Sequence, residues 1–177
     1  MNHMKTFRLS FIVLFAAFTL QGWAQLPAIT LKNLSGTPVR VDTLNNGSKP
    51  LIIDFFATWC KPCNRELKAI HEVYKDWVEE TGVKLIAISI DQAQNVHKVK
   101  PLVDSYGWEY DILLDTNSDL ARALGIQTIP YVIILDGKGQ VAYKHNGYVD
   151  GAEEELIEKV RELTSDSASD KKKDKKK

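Results

Sequence analysis

The feature that most constrains the fold of this chain is a pair of cysteines between an apolar strand and an amphipathic helix. Cys60 and Cys63 are the only cysteines among the 177 residues, and two residues separate them. They follow an apolar run at residues 51–57 and begin a segment, residues 60–80, whose apolar side chains recur at helical spacing. A strand that leads into a helix with two thiols in its first turn suits reversible disulfide formation.

The spacing of the cysteines indicates dithiol–disulfide exchange. A thiolate attacks a disulfide, and the first helical turn places the sulfur of Cys60 near unpaired backbone N–H groups at the positive end of the helix dipole. Lys61 adds a nearby cation, and Pro62 suits the first turn because its missing N–H would have no intrahelical partner there. We expect Cys60 to attack a substrate disulfide and Cys63 to resolve the mixed disulfide.

Other uses of a C-x-x-C pair fit this chain less well. A structural zinc site needs four ligands, but there is no second cysteine pair and the histidines are scattered. A purely structural bridge this short closes almost no loop and stabilises little. A Cu(I) site favours Cys with Met, whereas the only methionines, Met1 and Met4, lie in the expected export signal. We therefore expect no metal and no cofactor beyond a Cys60–Cys63 disulfide.

The first 24 residues have the layout of a secretory signal peptide. Lys5 and Arg8 precede an apolar run at residues 9–20, and small residues at positions 22 and 24 predict cleavage after Ala24. An uncleaved segment would instead anchor the protein in a membrane. Either way the cysteines would reside in an oxidising compartment, where a lone pair stays oxidised unless an electron donor reduces it.

The other end of the chain, residues 165–177, has no apolar residue beyond Ala168 and six lysines. This composition predicts a disordered, lysine-rich tail. Residues 25–164 then form one domain of ordinary size with 15 basic and 20 acidic residues, so its net charge is near −5 whereas the tail is near +3.

The pattern between the two ends predicts one α/β domain. Residues 51–56 and 83–90 are apolar runs typical of strands covered on both faces, and they flank the helix at 60–80, which makes a βαβ unit. The other expected strands are residues 29–31, 39–41, 110–114, 131–135 and 140–145, and the other expected helices are residues 95–106, 119–124 and 151–163.

Two motifs resemble the thioredoxin superfamily: D-F-F-A-T-W-C-K-P-C at residues 54–63 and G-I-Q-T-I-P at residues 125–130, followed by Gly147. Within it, the chain looks most like the exported TlpA/ResA-type reductases, because of the expected signal, an N-terminal extension, an insertion around residues 92–110, and a C-x-P-C-x-x-E pattern completed by Glu66. The resemblance implies a thioredoxin-like fold, with a central mixed β-sheet flanked by helices, an N-terminal extension and a βα insertion.

The resemblance also implies roles for residues outside the cysteine pair. The Ile129–Pro130 bond is expected to be cis and to face the cysteines, with Pro130 blocking metal access and the backbone of Ile129 pairing with an extended substrate strand. Trp59 is expected to pack beside Cys60 and shape the substrate surface. The expected substrate-binding residues are Trp59, Lys61, Pro62, Ile129, Pro130 and Gly147.

Two carboxylic acids are candidates for proton transfer. Asp54 lies inside an apolar strand, so burial should raise its pKa and let it accept the proton of Cys63. Residues 85–88 of the neighbouring strand are apolar, so no lysine is expected beside Asp54. Glu66 either shares this proton transfer or is an exposed helix residue.

The expected function is thiol–disulfide reduction in a periplasmic or otherwise exported location. By resemblance, the substrates would be disulfides of exported proteins and the electron donor a membrane thiol carrier, with a monomeric protein and no nucleic acid. The alternative is a disulfide oxidase or isomerase, but such enzymes tend to place His within the C-x-x-C, where this chain has Lys61 and Pro62. A peroxidase is disfavoured because no separate peroxidatic motif surrounds a cysteine.

Overall fold

A seven-stranded mixed sheet runs through the molecule in the order β2-β1-β5-β4-β3-β6-β7. The structure, a computed structural model, describes residues 25–174; the expected signal peptide and the last three residues lie outside this range. The strands are β1 (Thr30–Asn33), β2 (Pro38–Arg40), β3 (Leu51–Phe56), β4 (Lys84–Ser89), β5 (Asp111–Leu114), β6 (Tyr131–Leu135) and β7 (Val141–Asn146). The predicted fold class, a thioredoxin-like mixed sheet with flanking helices, is confirmed.

Four α-helices connect or follow these strands. They are α1 (Lys61–Thr81), α2 (Val99–Tyr106), α3 (Asp119–Ala123) and α4 (Glu153–Asp174). The helix expected at residues 95–106 is a 3₁₀ turn, Val96–Lys98, that continues into α2. Pro101 does not interrupt α2, because it occupies the first turn, where its missing N–H has no intrahelical partner.

Strand β3 is the centre of the sheet and carries the chain into the cysteine pair. It pairs with β4 in parallel and with β6 antiparallel, and all six of its residues are buried. Because successive side chains point to opposite faces, Ile52 and Phe56 join the core that contains both cysteines, whereas Ile53 and Phe55 join the core on the other face. Burial on both faces explains the continuous apolar run, which Asp54 alone interrupts.

Helices α1 and α4 pack side by side on the cysteine-containing face. Leu67 and Ile70 of α1 share a core with Leu156 and Ile157 of α4. Helix α1 begins directly after Cys60 and ends at Gly82, whose positive φ of 67° suits glycine at this position. Within residues 25–174, no helix is long and apolar enough to cross a membrane.

The predicted end of the last helix is wrong. We expected the helix to end at residue 163, but α4 continues to Asp174. The physical reason is that no glycine or proline follows Gly151, so nothing in the sequence breaks the helix even after its apolar residues end.

Candidate active site

The two cysteines form a disulfide at the N-terminus of α1. Cys60 is the N-cap residue, and its Sγ accepts a hydrogen bond from the backbone N–H of Cys63 at 3.3 Å. Cys60 is 5% exposed and Cys63 is fully buried, so only Cys60 is placed to meet a substrate. Pro62 lies in the first helical turn, and the neighbouring Lys61 is exposed. The helix end thus offers N–H groups to a Cys60 thiolate.

Behind the cysteines, two carboxyl groups are buried without hydrogen-bond partners. Asp54 in β3 and Glu66 in α1 are fully buried, so Glu66 is not an exposed helix residue. All four of their carboxyl oxygens are unpaired among the described residues. Burial raises the pKa of Asp54 to about 8. Burial and then the negative charges of Asp54 and Glu153 raise the pKa of Glu66 to about 10.

The neighbouring strands leave Asp54 without a compensating cation. Asp54 pairs in register with Ala87 of β4 and Val132 of β6, both fully buried and apolar. This agrees with the prediction that no lysine accompanies Asp54 on the next strand. The carboxyl group therefore favours its neutral form near neutral pH, and only its ionised fraction can accept a proton.

A buried carboxylate that the sequence analysis missed holds the loop before Cys60. Asp91 accepts hydrogen bonds from the backbone N–H of Thr58 at 2.7 Å, from the Thr58 hydroxyl at 2.6 Å and from the Ser89 hydroxyl at 2.9 Å. The loop closes with a bond from the Cys60 N–H to the carbonyl of Ala57 at 3.0 Å. Asp91 follows the buried strand β4, and the position of a polar residue at the end of a strand parallel to β3 is the signal that could have found it.

Aromatic residues of the insertion cover the inner side of the site. Trp108 packs edge-on against Phe56 with ring centroids 5.8 Å apart, and Tyr110 contacts Tyr74 in the same manner at 5.0 Å. The Tyr110 hydroxyl donates to the carbonyl oxygen of Leu67 in α1 at 2.9 Å. Burial, with the charge of Asp54 second, raises the pKa of Tyr110. The insertion therefore packs against the same core as the two cysteines.

The Ile129–Pro130 bond is cis, as the resemblance implied. Tyr131, the first residue of β6, pairs with Phe55 of β3. Pro130 therefore lies at the end of the sheet where β3 leads toward Cys60. The Pro130 carbonyl accepts a hydrogen bond from the N–H of Gly147 at 2.8 Å, which ties these two expected substrate-binding residues together. No hydrogen bond within residues 25–174 uses the backbone of Ile129, so its N–H and C=O groups are available to another strand.

Two apolar side chains close in sequence to expected substrate-binding residues are exposed. Trp59 is 62% exposed and Val149, two residues after Gly147, is 73% exposed. A groove of about 330 Å³ is lined by Thr58, Trp59, Asn95, Lys98 and Leu102. Trp59, next to Cys60 in the chain, therefore lines a groove, and its role in substrate binding stays a prediction. The sequence did not single out Val149 or Lys98, because exposure of isolated loop residues carries no periodic signal.

This arrangement can perform two-electron thiol–disulfide exchange. The outer cysteine lies at a helix N-terminus, and the inner cysteine is fully buried, three residues before Glu66 on α1. Among the described residues, no group of three or more His, Cys, Asp and Glu side chains is arranged to hold a metal ion. Fold and site together define a thioredoxin-like thiol–disulfide oxidoreductase.

Comparison with known proteins gives the family. The AhpC/TSA family profile matches residues 24–144, more than half of the chain, and the chain belongs to this family. It is similar to the thiol-disulfide oxidoreductase ResA of Halalkalibacterium halodurans, with 28% identity over 138 residues that cover 78% of this chain and 74% of the relative. It is also similar to the thioredoxin-like protein YneN of Bacillus subtilis, with 30% identity over 129 residues, 72% of this chain and 73% of YneN.

A solved structure agrees. The solution structure of a thioredoxin-like protein from Porphyromonas gingivalis shares 59% sequence identity with this chain. The match covers 81% of this chain and 94% of that one, with a TM-score of 0.72. The predicted membership in the thioredoxin superfamily, on the ResA-like branch, is confirmed.

Proposed function

We propose that this protein is a disulfide reductase of an exported compartment, acting on disulfides of other exported proteins through Cys60 and Cys63. The observation that carries the proposal is the asymmetry of the cysteine pair: Cys60 keeps 5% exposure and caps a helix, whereas Cys63 is fully buried in the hydrophobic core. The reduced protein would attack with Cys60, form a mixed disulfide, and release the substrate when Cys63 displaces it. No cofactor beyond this disulfide is needed.

The direction of reaction follows from the residues that the cysteine pair encloses. They are Lys61 and Pro62, and no histidine lies within the pair. The Cys60 thiolate is therefore stabilised by the helix N-terminus but not by an enclosed histidine, as it tends to be in oxidases and isomerases. A less stabilised thiolate makes the dithiol form less stable and the couple more reducing. This supports reduction over the alternative, disulfide oxidation or isomerisation.

The substrate would lie as an extended strand along the unpaired backbone of Ile129. Its backbone would pair with Ile129, and its disulfide would then face Cys60 beside Pro130. Trp59 and Val149 offer apolar contacts on the two sides. Lys61, Pro62 and Gly147 complete this surface. Such contacts use the main chain, so the protein would accept disulfides in many sequence contexts.

Supply of electrons and location complete the proposal. In an oxidising compartment the disulfide would have to be reduced again after every turnover, and a membrane thiol carrier is the donor that fits an exported monomeric reductase. The expected signal at residues 1–24, cleaved after Ala24 or retained as an anchor, would deliver the protein there.

Trapping of the mixed disulfide tests the proposal. Insulin, whose chains are linked by disulfides, is mixed with the reduced variants Cys63→Ser and Cys60→Ser. We expect Cys63→Ser to form a covalent insulin adduct, visible by mass spectrometry and released by dithiothreitol, and the matched Cys60→Ser variant to form none, because Cys63 is buried. Adducts in equal yield on both variants would contradict the assigned order of attack.

A further inference from the structure

The proton that Cys63 loses needs a way out of the core. Asp54 and Glu66 are fully buried and have no hydrogen-bond partner among the described residues, so neither exchanges a proton with water directly. Tyr110 offers no exit from Asp54, because its hydroxyl hydrogen is engaged by the carbonyl of Leu67 at 2.9 Å. A third group must connect these acids to solvent.

The packing of α1 against α4 places the first turn of α4, which contains Glu153, level with the first turns of α1, which contain Glu66. Arg65 Nη1 lies 3.3 Å from Asp150 Oδ1 at the start of the two helices. Further along, Arg161 Nε lies 2.6 Å from Glu80 Oε1. The two helices therefore run side by side in the same direction. Glu153, three residues after Asp150, lies level with the first turns of α1, where Glu66 directly follows Arg65.

Glu153 is suited to exchange protons between the core and the surface. Its side chain is half-buried at the first turn of α4, and its Oε2 accepts a hydrogen bond from the Tyr148 hydroxyl at 2.9 Å. Its charge is close enough to raise the pKa of Glu66, after burial and the charge of Asp54. The hydroxyl of Tyr148 stays protonated, since burial and then the bond to Glu153 raise the pKa of Tyr148 to about 12.

We propose that Glu153 is the outer end of a proton pathway that runs from Cys63 through Asp54 and Glu66 to solvent. The inference rests on the proposed dithiol function and names a residue that this function does not yet include. Glu153 does not touch the sulfurs; it acts through Glu66. The other charged or titratable groups near this path are Arg65, Asp150, Tyr110 and Tyr148, and the first two form an exposed ion pair.

The chemical step balances as follows. In the mixed disulfide, the Cys63 thiol gives its proton to the ionised fraction of Asp54, and the thiolate attacks the sulfur of Cys60. Glu66, which is protonated, takes the proton from Asp54 as it passes its own to Glu153. The bond between Cys60 and the substrate sulfur breaks, the Cys60–Cys63 bond forms, and the substrate leaves as a thiolate. The dithiol is oxidised by two electrons and the substrate disulfide is reduced by two. Glu153 then passes the proton to water, and it returns a proton when the protein is reduced again.

The test separates the two sulfur steps in the full-length protein. The reduced protein is mixed with an aromatic disulfide that releases a coloured thiol at each step, first on attack by Cys60 and then on resolution by Cys63. The variants are Glu153→Gln and the matched control Glu154→Gln, which removes the same charge from the same helical turn but at an exposed position. The assay is repeated with increasing acetate, a small acid that can replace a missing carboxyl group.

We expect Glu153→Gln to slow the second release about tenfold, to leave the first release unchanged, and to recover with acetate. The effect is smaller than the roughly 10²–10⁴-fold of an acid or base in direct contact with the reacting group, because Glu153 acts through Glu66. Glu154→Gln should behave as the original protein. An unchanged second release in Glu153→Gln, an equal slowing in Glu154→Gln, or a slowing that acetate does not relieve would each overturn the pathway. Absence of the first release in the original protein would instead contradict the proposed function, so the two failures are distinguishable.

Discussion

Replacement of Asp54 by asparagine should make the oxidised protein more stable at neutral pH. Burial raises the pKa of Asp54 from 3.8 to about 8, so the folded protein at pH 7 holds a proton that the unfolded chain has lost. The difference between pH 7 and 3.8 corresponds to about 4 kcal/mol at about 1.4 kcal/mol per unit. Asparagine has the same shape and never ionises, so it avoids this penalty.

The sign of the pH dependence is fixed by the raised pKa. The stabilisation that Asp54 provides by binding its proton is complete below about pH 4 and is lost as the pH rises toward about 8. The free energy of unfolding of the asparagine variant does not fall in this way, because asparagine does not ionise. The two proteins should therefore be nearly equal in stability near pH 4 and differ by about 4 kcal/mol at pH 7. Glu66, whose pKa is also raised, adds a slope of the same sign to both.

Urea unfolding of the oxidised proteins between pH 4 and 8 measures this difference. The matched control is Asp115→Asn. Asp115 is also buried, but its oxygens accept hydrogen bonds from the backbone N–H groups of Leu120 at 3.3 Å and Ala121 at 2.9 Å. Its replacement should lower the free energy of unfolding by about 1–3 kcal/mol, because those donors lose a charged acceptor. A lower stability of Asp54→Asn at pH 7, or an unchanged pH slope, would refute the view that Asp54 is uncompensated.

Three further predictions concern the surroundings of the cysteines. Asp91→Ala should lower the free energy of unfolding in urea by about 3 kcal/mol, because the donors of Thr58 and Ser89 stay buried without their acceptor. An unchanged free energy of unfolding would mean that these hydrogen bonds do not stabilise the loop before Cys60. Trp59→Ala should change stability by less than about 0.5 kcal/mol, since the ring is 62% exposed, but should raise KM for insulin reduction about tenfold; an unchanged KM would remove Trp59 from the substrate surface. Asp54→Asn should also slow the second thiol release about a hundredfold through loss of the proton acceptor of Cys63, and a normal rate would assign that proton to another group.

Much of the fold could be predicted because its signals are local. The continuous apolar run of β3, the helical spacing after Cys60 and the turn before β7 each report on neighbouring residues, and each predicted element is present. The end of α4 was missed for the opposite reason. We expected the helix to end where the apolar residues stop, but the continuation of a helix depends on the absence of helix-breaking residues as well as on burial.

The sequence predicted the parts of the candidate site that lie within a sequence motif. It did not predict the contacts that depend on how separate elements pack together. The burial of Asp54 follows from the apolar residues on both sides of it. The burial of Glu66 has a weaker signal, since it lies four residues before Ile70 and so shares the inner face of α1. The contacts of Asp91 with Thr58 and of Glu153 with Tyr148 join residues from separate elements or loops. The sequence alone does not specify such side-chain contacts.

The reduction potential of the Cys60–Cys63 couple tests the central claim most directly. The full-length protein is equilibrated in dithiothreitol or glutathione redox buffers, and its oxidised fraction is measured by alkylation and mass spectrometry, with Cys60→Ser as the control. A reductase whose cysteine pair encloses no histidine to stabilise the Cys60 thiolate further should have a potential near that of thioredoxin, about −270 mV. A potential near about −120 mV, that of a strong dithiol oxidant, would contradict the account and make this protein a disulfide-forming enzyme.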